Sequence, residues 1–210
     1  MRIRGFYSDP HYGHANSIKY CDRPFADVDD MTEKMVALYN EYIDDSDTCV
    51  WMGDCYFGAM HKLFNVQALM ARLRGRKVLT LGNHDMKNPS YYLKLGFDLV
   101  FEKGFFIEMA GRTVYVNHYP ASAFHPGDDR YQDRFPILRP GEILMHGHTH
   151  EKVRVTPYNA LHAGVDAWGY RPALWEEMEA LVKTISPEGT KRELAEQQRK
   201  DDAAEKAPTA

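Results

Sequence analysis

The stretch KVLTLGNHD, residues 77–85, places an apolar run directly before a sharp polar turn. The run predicts a buried β-strand, and Gly82 allows the backbone to turn abruptly where that strand ends. In the turn, Asn83 offers an amide oxygen that can ligate a hard metal ion, while His84 stays free for proton transfer. Alone the turn is weak evidence for chemistry, because Gly-Asn pairs usually mark ordinary loops.

Other strand-like runs also end in side chains that can bind metal. An N-terminal strand leads to Asp9 and His11, and a later strand leads to His148 and His150. In extended backbone, residues two apart point to the same side, which is the geometry that two ligands of one metal ion require. His14, three residues beyond His11, is a candidate substrate contact in the same cavity. The alternative for each segment is a polar loop with a capping side chain.

The order of predicted elements favours a mixed α/β fold. Apolar periodicity predicts helices at residues 29–44, 59–73, 89–95 and 173–185. Strand-like runs lie at residues 2–7, 48–52, 77–81, 98–101, 104–109, 112–117, 142–145, 152–156 and 160–165. The β-α-β-α-β order followed by antiparallel strands predicts a sandwich with helices outside. Residues 119–141 lack a period, and so long a loop is either a binding lid or a mobile surface loop.

Length and composition are those of an ordinary globular protein. The chain has 210 residues, of which 44% are hydrophobic, so residues 1–187 are expected to form a single domain. Residues 188–210 are mostly charged or small and predict a frayed helix or a disordered tail.

Charge and cysteine content count against several kinds of partner and of metal site. The formal charge is -4 with both signs mixed along the chain, which disfavours binding to duplex nucleic acid or to an anionic membrane. Cys21, Cys49 and Cys55 form no CxxC pair, which argues against disulfides and against a thiolate zinc site. Since no segment is apolar enough for an export signal or a membrane span, the expected location is the cytoplasm. The oligomeric state is left open.

Seven oxygen and nitrogen donors lie at predicted strand ends or in the turns that follow. They are Asp9, His11, Asp54, Asn83, His118, His148 and His150. One ion takes about four to six ligands, so seven donors fit two ions better, with one carboxylate shared between them. Carboxylate, amide and imidazole ligands suit borderline ions. Mn²⁺ is therefore favoured, with Fe, Zn²⁺, Ni²⁺ and Co²⁺ left open.

In order and spacing these donors resemble the calcineurin-like metallophosphoesterase superfamily. Its five blocks are Asp-x-His, Gly-Asp, Gly-Asn-His-Asp/Glu, His and Gly-His-x-His, and all five occur in that order between Asp9 and His150. The chain looks most similar to compact stand-alone members from bacteria and their phages, through DPHYGH at residues 9–14, GVD at 164–166 and GYRP at 169–172. The resemblance implies a four-layer α/β/β/α sandwich of two mixed β-sheets flanked by helices.

The resemblance also implies a role for each block. Asp9, His11 and His150 would hold the first metal ion, Asn83, His118 and His148 the second, and Asp54 would bridge the two. The implied activity is hydrolysis of phosphate monoesters or diesters by a hydroxide shared between two divalent ions, with His84 protonating the departing oxygen. Arg23 and Arg171 are candidates for holding the phosphate, although either would serve equally well in a structural ion pair.

Two departures from the family narrow the expected substrate to a small phosphate ester or nucleotide. The protein Ser/Thr phosphatase branch has a later Asp that orients the catalytic His, whereas this chain has Phe57 there, which disfavours protein phosphatase activity. The nuclease branch usually carries a DNA-capping addition after its core, and little of this chain follows His150. A nuclease is the alternative enzyme. A metal-binding scaffold without turnover is the alternative from another class, disfavoured because His84 and every ligand are intact.

Overall fold

The computed structural model describes residues 2–57, 63–121, 134–139, 141–156 and 160–186. Most of the long loop predicted at residues 119–141 and the whole predicted tail at 188–210 therefore lie outside the described residues. Among the helices within those ranges, none has the length and apolar character needed to cross a bilayer.

Helices and strands fall close to their predicted positions. The strands are β1 Ile3–Tyr7, β2 Thr48–Trp51, β3 Arg76–Thr80, β4 Leu99–Phe101, β5 Phe105–Met109, β6 Arg112–Val116, β7 Ile143–His146, β8 Val155–Thr156, β9 Ala160–His162 and β10 Ala173–Leu174. The helices are α1 Ala15–Tyr20, α2 Val28–Tyr42, α3 Leu63–Arg72, α4 Pro89–Leu95 and α5 Trp175–Thr184. The sequence predicts neither α1 nor β10, because both are too short to show a period.

Two five-stranded sheets, both mixed, form the expected α/β sandwich. The first has the order β10-β1-β2-β3-β4, in which β1 to β4 are parallel and β10 is antiparallel to β1. The second has the order β5-β6-β7-β9-β8, in which β6, β7 and β9 are parallel and the outer pairs are antiparallel.

Alternate residues of the central strands fill two cores. Tyr7 and Trp51 face a core that α2, α3 and α4 cover, whereas their neighbours Phe6 and Val50 face the core between the two sheets and α5. All four side chains are fully buried. A register shift of one residue would exchange these two sets of side chains, so burial on both faces fixes where each strand ends.

The carboxyl ends of the parallel strands meet at one edge of the sandwich. The loops after β1 and β2 are joined where the Asp9 N–H donates to the Gly53 carbonyl oxygen at 3.2 Å. The loops after β6 and β7 are joined where the Gly147 N–H donates to the His118 carbonyl oxygen at 3.0 Å. Between the sheets, the His148 N–H donates to Asp9 Oδ2 at 2.9 Å. The sandwich therefore brings the predicted donors of both sheets together.

Candidate metal centre

Three ligand atoms converge at the ends of β3, β6 and β7. Asn83 Oδ1 lies 2.9 Å from His118 Nε2 and 2.8 Å from His148 Nδ1, and these two nitrogens are 3.1 Å apart. His118 Nδ1 lies 2.7 Å from the Met52 carbonyl oxygen, so Nδ1 carries the proton and Nε2 keeps its lone pair. Metal–ligand bonds of about 2.0–2.2 Å place neighbouring ligands about 3 Å apart, and the three atoms match that spacing.

A second group lies at the ends of β1 and β7. His11 Nε2 is 3.2 Å from His150 Nε2, which is 3.9 Å from Asp9 Oδ1. Asp9 is fully buried, and its Oδ2 accepts a hydrogen bond from Ser8 Oγ at 2.6 Å, whereas Oδ1 has no hydrogen-bond partner among the described residues. A buried carboxylate oxygen without a partner is destabilising, and a bound cation would remove that cost.

Asp54 lies between the two groups. Its Oδ2 is 3.5 Å from His11 Nε2 and its Oδ1 is 3.7 Å from His118 Nε2. Burial raises the pKa of Asp54 to about 7, and the neighbouring carboxylates of Asp9 and Asp85 act in the same direction. Burial therefore disfavours the charged form of this carboxylate in the protein alone.

These side chains could bind metal ions. Within the described residues, three sets have ligand atoms that all lie within 4.8 Å of one another. Two of them are Asp9, His11 and His150, and Asp54, His118 and His148. A third such set, Cys21, His150 and Asp166, fits less well because arginine already binds both oxygens of Asp166. The first two sets contain only oxygen and nitrogen donors, which suits borderline divalent ions.

Five of the seven proposed donors have left-handed backbone, rather than the extended backbone expected from the sequence. The angle φ is 58° at Asp9, 50° at His11, 70° at His148 and 53° at His150. Asp54, at 54°, shares this conformation. The residues do come together, but the explanation from two-residue spacing in extended chain is wrong for both pairs, Asp9 with His11 and His148 with His150, because all four residues have left-handed backbone.

Two glycines let the strand ends approach closely. A Cβ atom at Gly147 would clash with Ser8 Oγ and Asp9 Oδ2, and one at Gly82 would clash with Asp54 Oδ1. Neither glycine has a positive φ. Gly82 is therefore needed for space, and the conformational freedom expected from the sequence is not what this position uses.

Asp85 braces the two turns that carry Asp54 and Asn83. Its carboxylate accepts hydrogen bonds from the backbone N–H groups of Asp54 at 2.7 Å, Gly82 at 2.9 Å and Cys55 at 3.4 Å. Asp85 is buried, so these bonds are shielded from water. The turn after β3 and the loop after β2 are thus held as one unit.

His84 faces the centre from the turn after β3. Its Nε2 lies 3.9 Å from Asp54 Oδ2, and its ring contacts that of Phe57 edge-on, with centroids 4.9 Å apart. Partial burial, together with the nearby imidazoles of His118 and His14, lowers the pKa of His84. An aromatic ring therefore packs against His84.

The sequence gives Asp166 no role, yet its side chain holds His150. Asp166 Oδ2 is 3.0 Å from His150 Nδ1, and Arg23 binds both Asp166 oxygens at 2.8 Å. Arg23 also donates to the backbone carbonyl oxygens of Asp9 at 2.9 Å and Pro10 at 3.0 Å. One buried guanidinium thus connects the Asp9 segment to the carboxylate that orients His150.

Both arginines considered for phosphate binding form ion pairs in the structure. Arg23 is occupied by the contacts just described. Arg171 makes a bidentate pair with Glu177, at 2.8 and 2.7 Å, and lies over the Tyr42 ring at 4.7 Å. The ion-pair alternative therefore describes both side chains. His14, whose ring centroid is 5.6 Å from that of His11, stays a candidate substrate contact.

Replacing Asp166 by asparagine is expected to weaken Mn²⁺ binding by about 10–100-fold, because a carboxylate that binds a ligating imidazole fixes its orientation and raises its basicity. Glu177→Gln is the matched control, since it alters the same kind of arginine pair without contact to His150. Isothermal titration of Mn²⁺ into the parent and both variants measures the effect. Equal affinities in all three proteins would contradict the role of Asp166.

Comparison with known proteins establishes relatives and a fold but no activity. No protein-family model matches the chain. An uncharacterized protein of Methanocaldococcus jannaschii is 28% identical over 193 residues, covering 88% of this chain and 93% of that protein. The Gene 66 protein of Mycobacterium phage L5 is 28% identical over 201 residues, covering 87% of this chain and 95% of the phage protein. 

A solved structure supports the architecture. The crystal structure of a protein of unknown function from Aquifex aeolicus superposes with a TM-score of 0.63 at 24% identity. The alignment covers 86% of this chain and 100% of the other. At that identity the similarity establishes a shared fold alone, so any function must be argued from the site itself.

Proposed function

We propose that the protein is a metal-dependent hydrolase of phosphate esters. The observation that supports this most directly is the position of Asp54, with one carboxylate oxygen near His11 and the other near His118. A carboxylate between two groups of imidazole and oxygen ligands suits a pair of divalent ions about 3.5–4 Å apart. We infer two ions, with Mn²⁺ as the favoured metal.

The proposal assigns a role to each of the predicted site residues. Asp9, His11 and His150 would hold one ion, Asn83, His118 and His148 the other, and Asp54 both. Divalent ions there would activate a water molecule and offset negative charge on the phosphoryl oxygens. His84 lies beside this centre with its Nε2 3.9 Å from Asp54 Oδ2, and we assign it the role of giving a proton to the departing oxygen.

The environment of His84 favours small esters over phosphoproteins as substrates. Phe57 packs on the His84 ring, so this histidine has an aromatic neighbour where protein phosphatases of the family have a carboxylate. Whether monoesters or diesters react faster is a question for assay, and p-nitrophenyl phosphate and bis-p-nitrophenyl phosphate represent the two classes.

Removing metal is the direct test of the proposed function. Chelation is expected to abolish hydrolysis of both nitrophenyl esters, and added Mn²⁺ is expected to restore it, because in the proposed reaction divalent ions activate the water molecule and offset charge on the phosphoryl oxygens. Absorbance of nitrophenolate reports the rate, and elemental analysis reports the metal content. Full activity in metal-free protein would refute the proposal, and metal binding without turnover on any ester would favour the scaffold.

A further inference from the structure

His150 belongs to two different groups of ligand atoms. The Sγ atom of Cys21, a ring nitrogen of His150 and a carboxylate oxygen of Asp166 all lie within 4.8 Å of one another. We assign Nδ1 of His150 to this group, because Asp166 Oδ2 lies 3.0 Å from it. The other nitrogen, Nε2, lies 3.2 Å from His11 Nε2 in the candidate metal centre. We call Cys21, His150 and Asp166 the cysteine set.

The fold holds Cys21 in this position through the two residues that follow it. Cys21 is the C-cap of α1, and Asp22 turns the chain with a φ of 49°. Lys152, in the loop after β7, donates to Asp22 Oδ2 at 3.2 Å. Arg23 binds both oxygens of Asp166 at 2.8 Å. Two ion pairs therefore hold the turn that carries Cys21 against the other members of the cysteine set.

The cysteine set is open to solvent on one side. The side chain of His150 is 25% exposed and Cys21 is half-buried, whereas the side chain of Asp166 is fully buried. An ion can therefore reach the set past the thiol. Metal–ligand bonds of about 2.0–2.3 Å place tetrahedral ligands about 3.5 Å apart, so small side-chain rotations would bring the three atoms to that spacing.

Arg23 leaves Asp166 able to bind an ion. Each carboxylate oxygen has two lone pairs. Within the described residues, Oδ1 accepts one hydrogen bond from Arg23, and Oδ2 accepts one from Arg23 and faces His150 Nδ1. The arginine disfavours a hard ion, which depends on carboxylate charge. It disfavours less an ion that is bound mainly by a thiolate.

We propose that the cysteine set is a separate site for Zn²⁺ or another thiophilic ion, and that this ion competes with the first metal ion of the centre for His150. Zn²⁺ takes thiolate, imidazole and carboxylate ligands, with water in an open fourth position. The thiol distinguishes this set from the proposed ligands of the centre, which are all oxygen and nitrogen donors. The spacing of the cysteines in the sequence does not predict the site, because its three ligands come from separate loops.

The two uses of His150 exclude each other. A neutral imidazole has a proton on one ring nitrogen and a lone pair on the other. An ion at Nδ1 therefore leaves Nε2 protonated, and a protonated Nε2 cannot bind an ion beside His11. The existence of the cysteine site is independent of the proposed hydrolase, whereas the competition rests on it. A thiophilic ion at Cys21 would thus inhibit the hydrolase by removing a ligand.

Cd²⁺ provides the first test, because its bond to a thiolate gives an ultraviolet charge-transfer band. Titration of Cd²⁺ into the metal-free parent protein is expected to produce this band, saturating at one thiolate-bound ion per chain. Cys21→Ser keeps the size of the side chain and is expected to abolish the band. Cys55→Ala is the matched control, since Cys55 is buried beside Asp54, and it is expected to retain the band. A parent without the band, or a band that persists in Cys21→Ser, overturns the site.

Zn²⁺ is tested on the parent protein alone, so the result does not depend on how a variant folds. Bound Zn²⁺ is expected to slow alkylation of Cys21 by iodoacetamide by about tenfold or more, because the reagent attacks the free thiolate. Peptide mass spectrometry reports the modified fraction of Cys21. An alkylation rate that Zn²⁺ does not change contradicts the proposal.

The competition is measured through the same Cd²⁺ band at buffered free Cd²⁺. Saturating Mn²⁺ is expected to raise the Cd²⁺ concentration at half-maximal absorbance by about 5-fold or more in the parent, since the two ions exclude each other. His11→Ala, which removes a ligand of the first ion, is expected to reduce this shift. Mn²⁺-dependent ester hydrolysis with an unchanged midpoint refutes the competition and leaves the proposed hydrolase intact. If no ester is hydrolysed, the band still decides whether the cysteine set binds an ion.

Discussion

Replacing Asp54 by alanine should remove at least one of the two proposed metal ions and lower turnover of bis-p-nitrophenyl phosphate by about 10³-fold or more. A metal ion acting on a phosphoryl oxygen contributes several kcal/mol of transition-state stabilisation, which corresponds to a rate factor of this size. Asp54 has an oxygen near a ligand of each group, at 3.5 and 3.7 Å, so its loss affects both. Elemental analysis and kcat measure the two effects.

His11→Ala is the comparison, because His11 belongs to one group alone. We expect it to cost less metal and less activity than Asp54→Ala. Asp54→Asn keeps the volume of the side chain and serves as the control for effects on folding. Far-ultraviolet circular dichroism checks that all variants fold. If Asp54→Ala retains two bound ions, Asp54 does not bridge the sites.

The second large effect concerns His84 and depends on the leaving group. Replacing His84 by alanine should slow hydrolysis of an alkyl phosphate by about 10²–10⁴-fold, because the departing alkoxide is strongly basic and needs a proton. p-Nitrophenolate leaves readily without a proton, so the same variant should lose much less activity on the nitrophenyl ester. Comparing kcat on both esters therefore measures the role of His84 as well as its importance.

This comparison holds only if parent and variant bind the same amount of metal. Metal content must be measured because the backbone N–H of His84 donates to Oδ1 of Asp54, a proposed ligand, at 2.9 Å. His84→Asn keeps that backbone contact and a polar side chain, and it should show the same dependence on the leaving group. Equal losses on both esters with metals retained would mean that His84 binds phosphate or positions the nucleophile, and that it is not the general acid.

Much of the site follows from the sequence because parallel strands place their carboxyl ends on one edge of a sheet. Apolar runs in the sequence predicted the strands β1, β2, β3, β6 and β7, and a side chain that can bind metal follows each strand within a few residues. Asp9, Asp54 and Asn83 could therefore be assigned to one place without knowledge of the fold in detail. The helices α2 and α4 were also predictable. The helix α2 is long enough to show an apolar period, and α4 begins with a capping Asn88 and Pro89.

The rest of the site depends on contacts between residues that are far apart in sequence, which no local sequence pattern predicts. Asp166 is 16 residues from His150 and Arg23 is 143 residues from Asp166, so no spacing rule connects them. The left-handed backbone of the donors could not be predicted from the sequence either. Aspartate and histidine at positive φ are uncommon, and the spacing of Asp9 and His11 favours extended chain.

The left-handed backbone of five proposed ligands means that selection for stability and selection for metal binding favour different residues at those positions. Each such residue costs the folded protein about 1 kcal/mol or more, whereas glycine adopts positive φ freely. A library screened for heat resistance in the presence of a chelator should therefore accumulate glycine at positions such as Asp54 and His148. The survivors would tolerate heat and bind no metal. Under the proposed metal-dependent function, directed evolution of this protein towards thermostability needs a divalent ion in the screen, so that metal binding offsets the conformational cost.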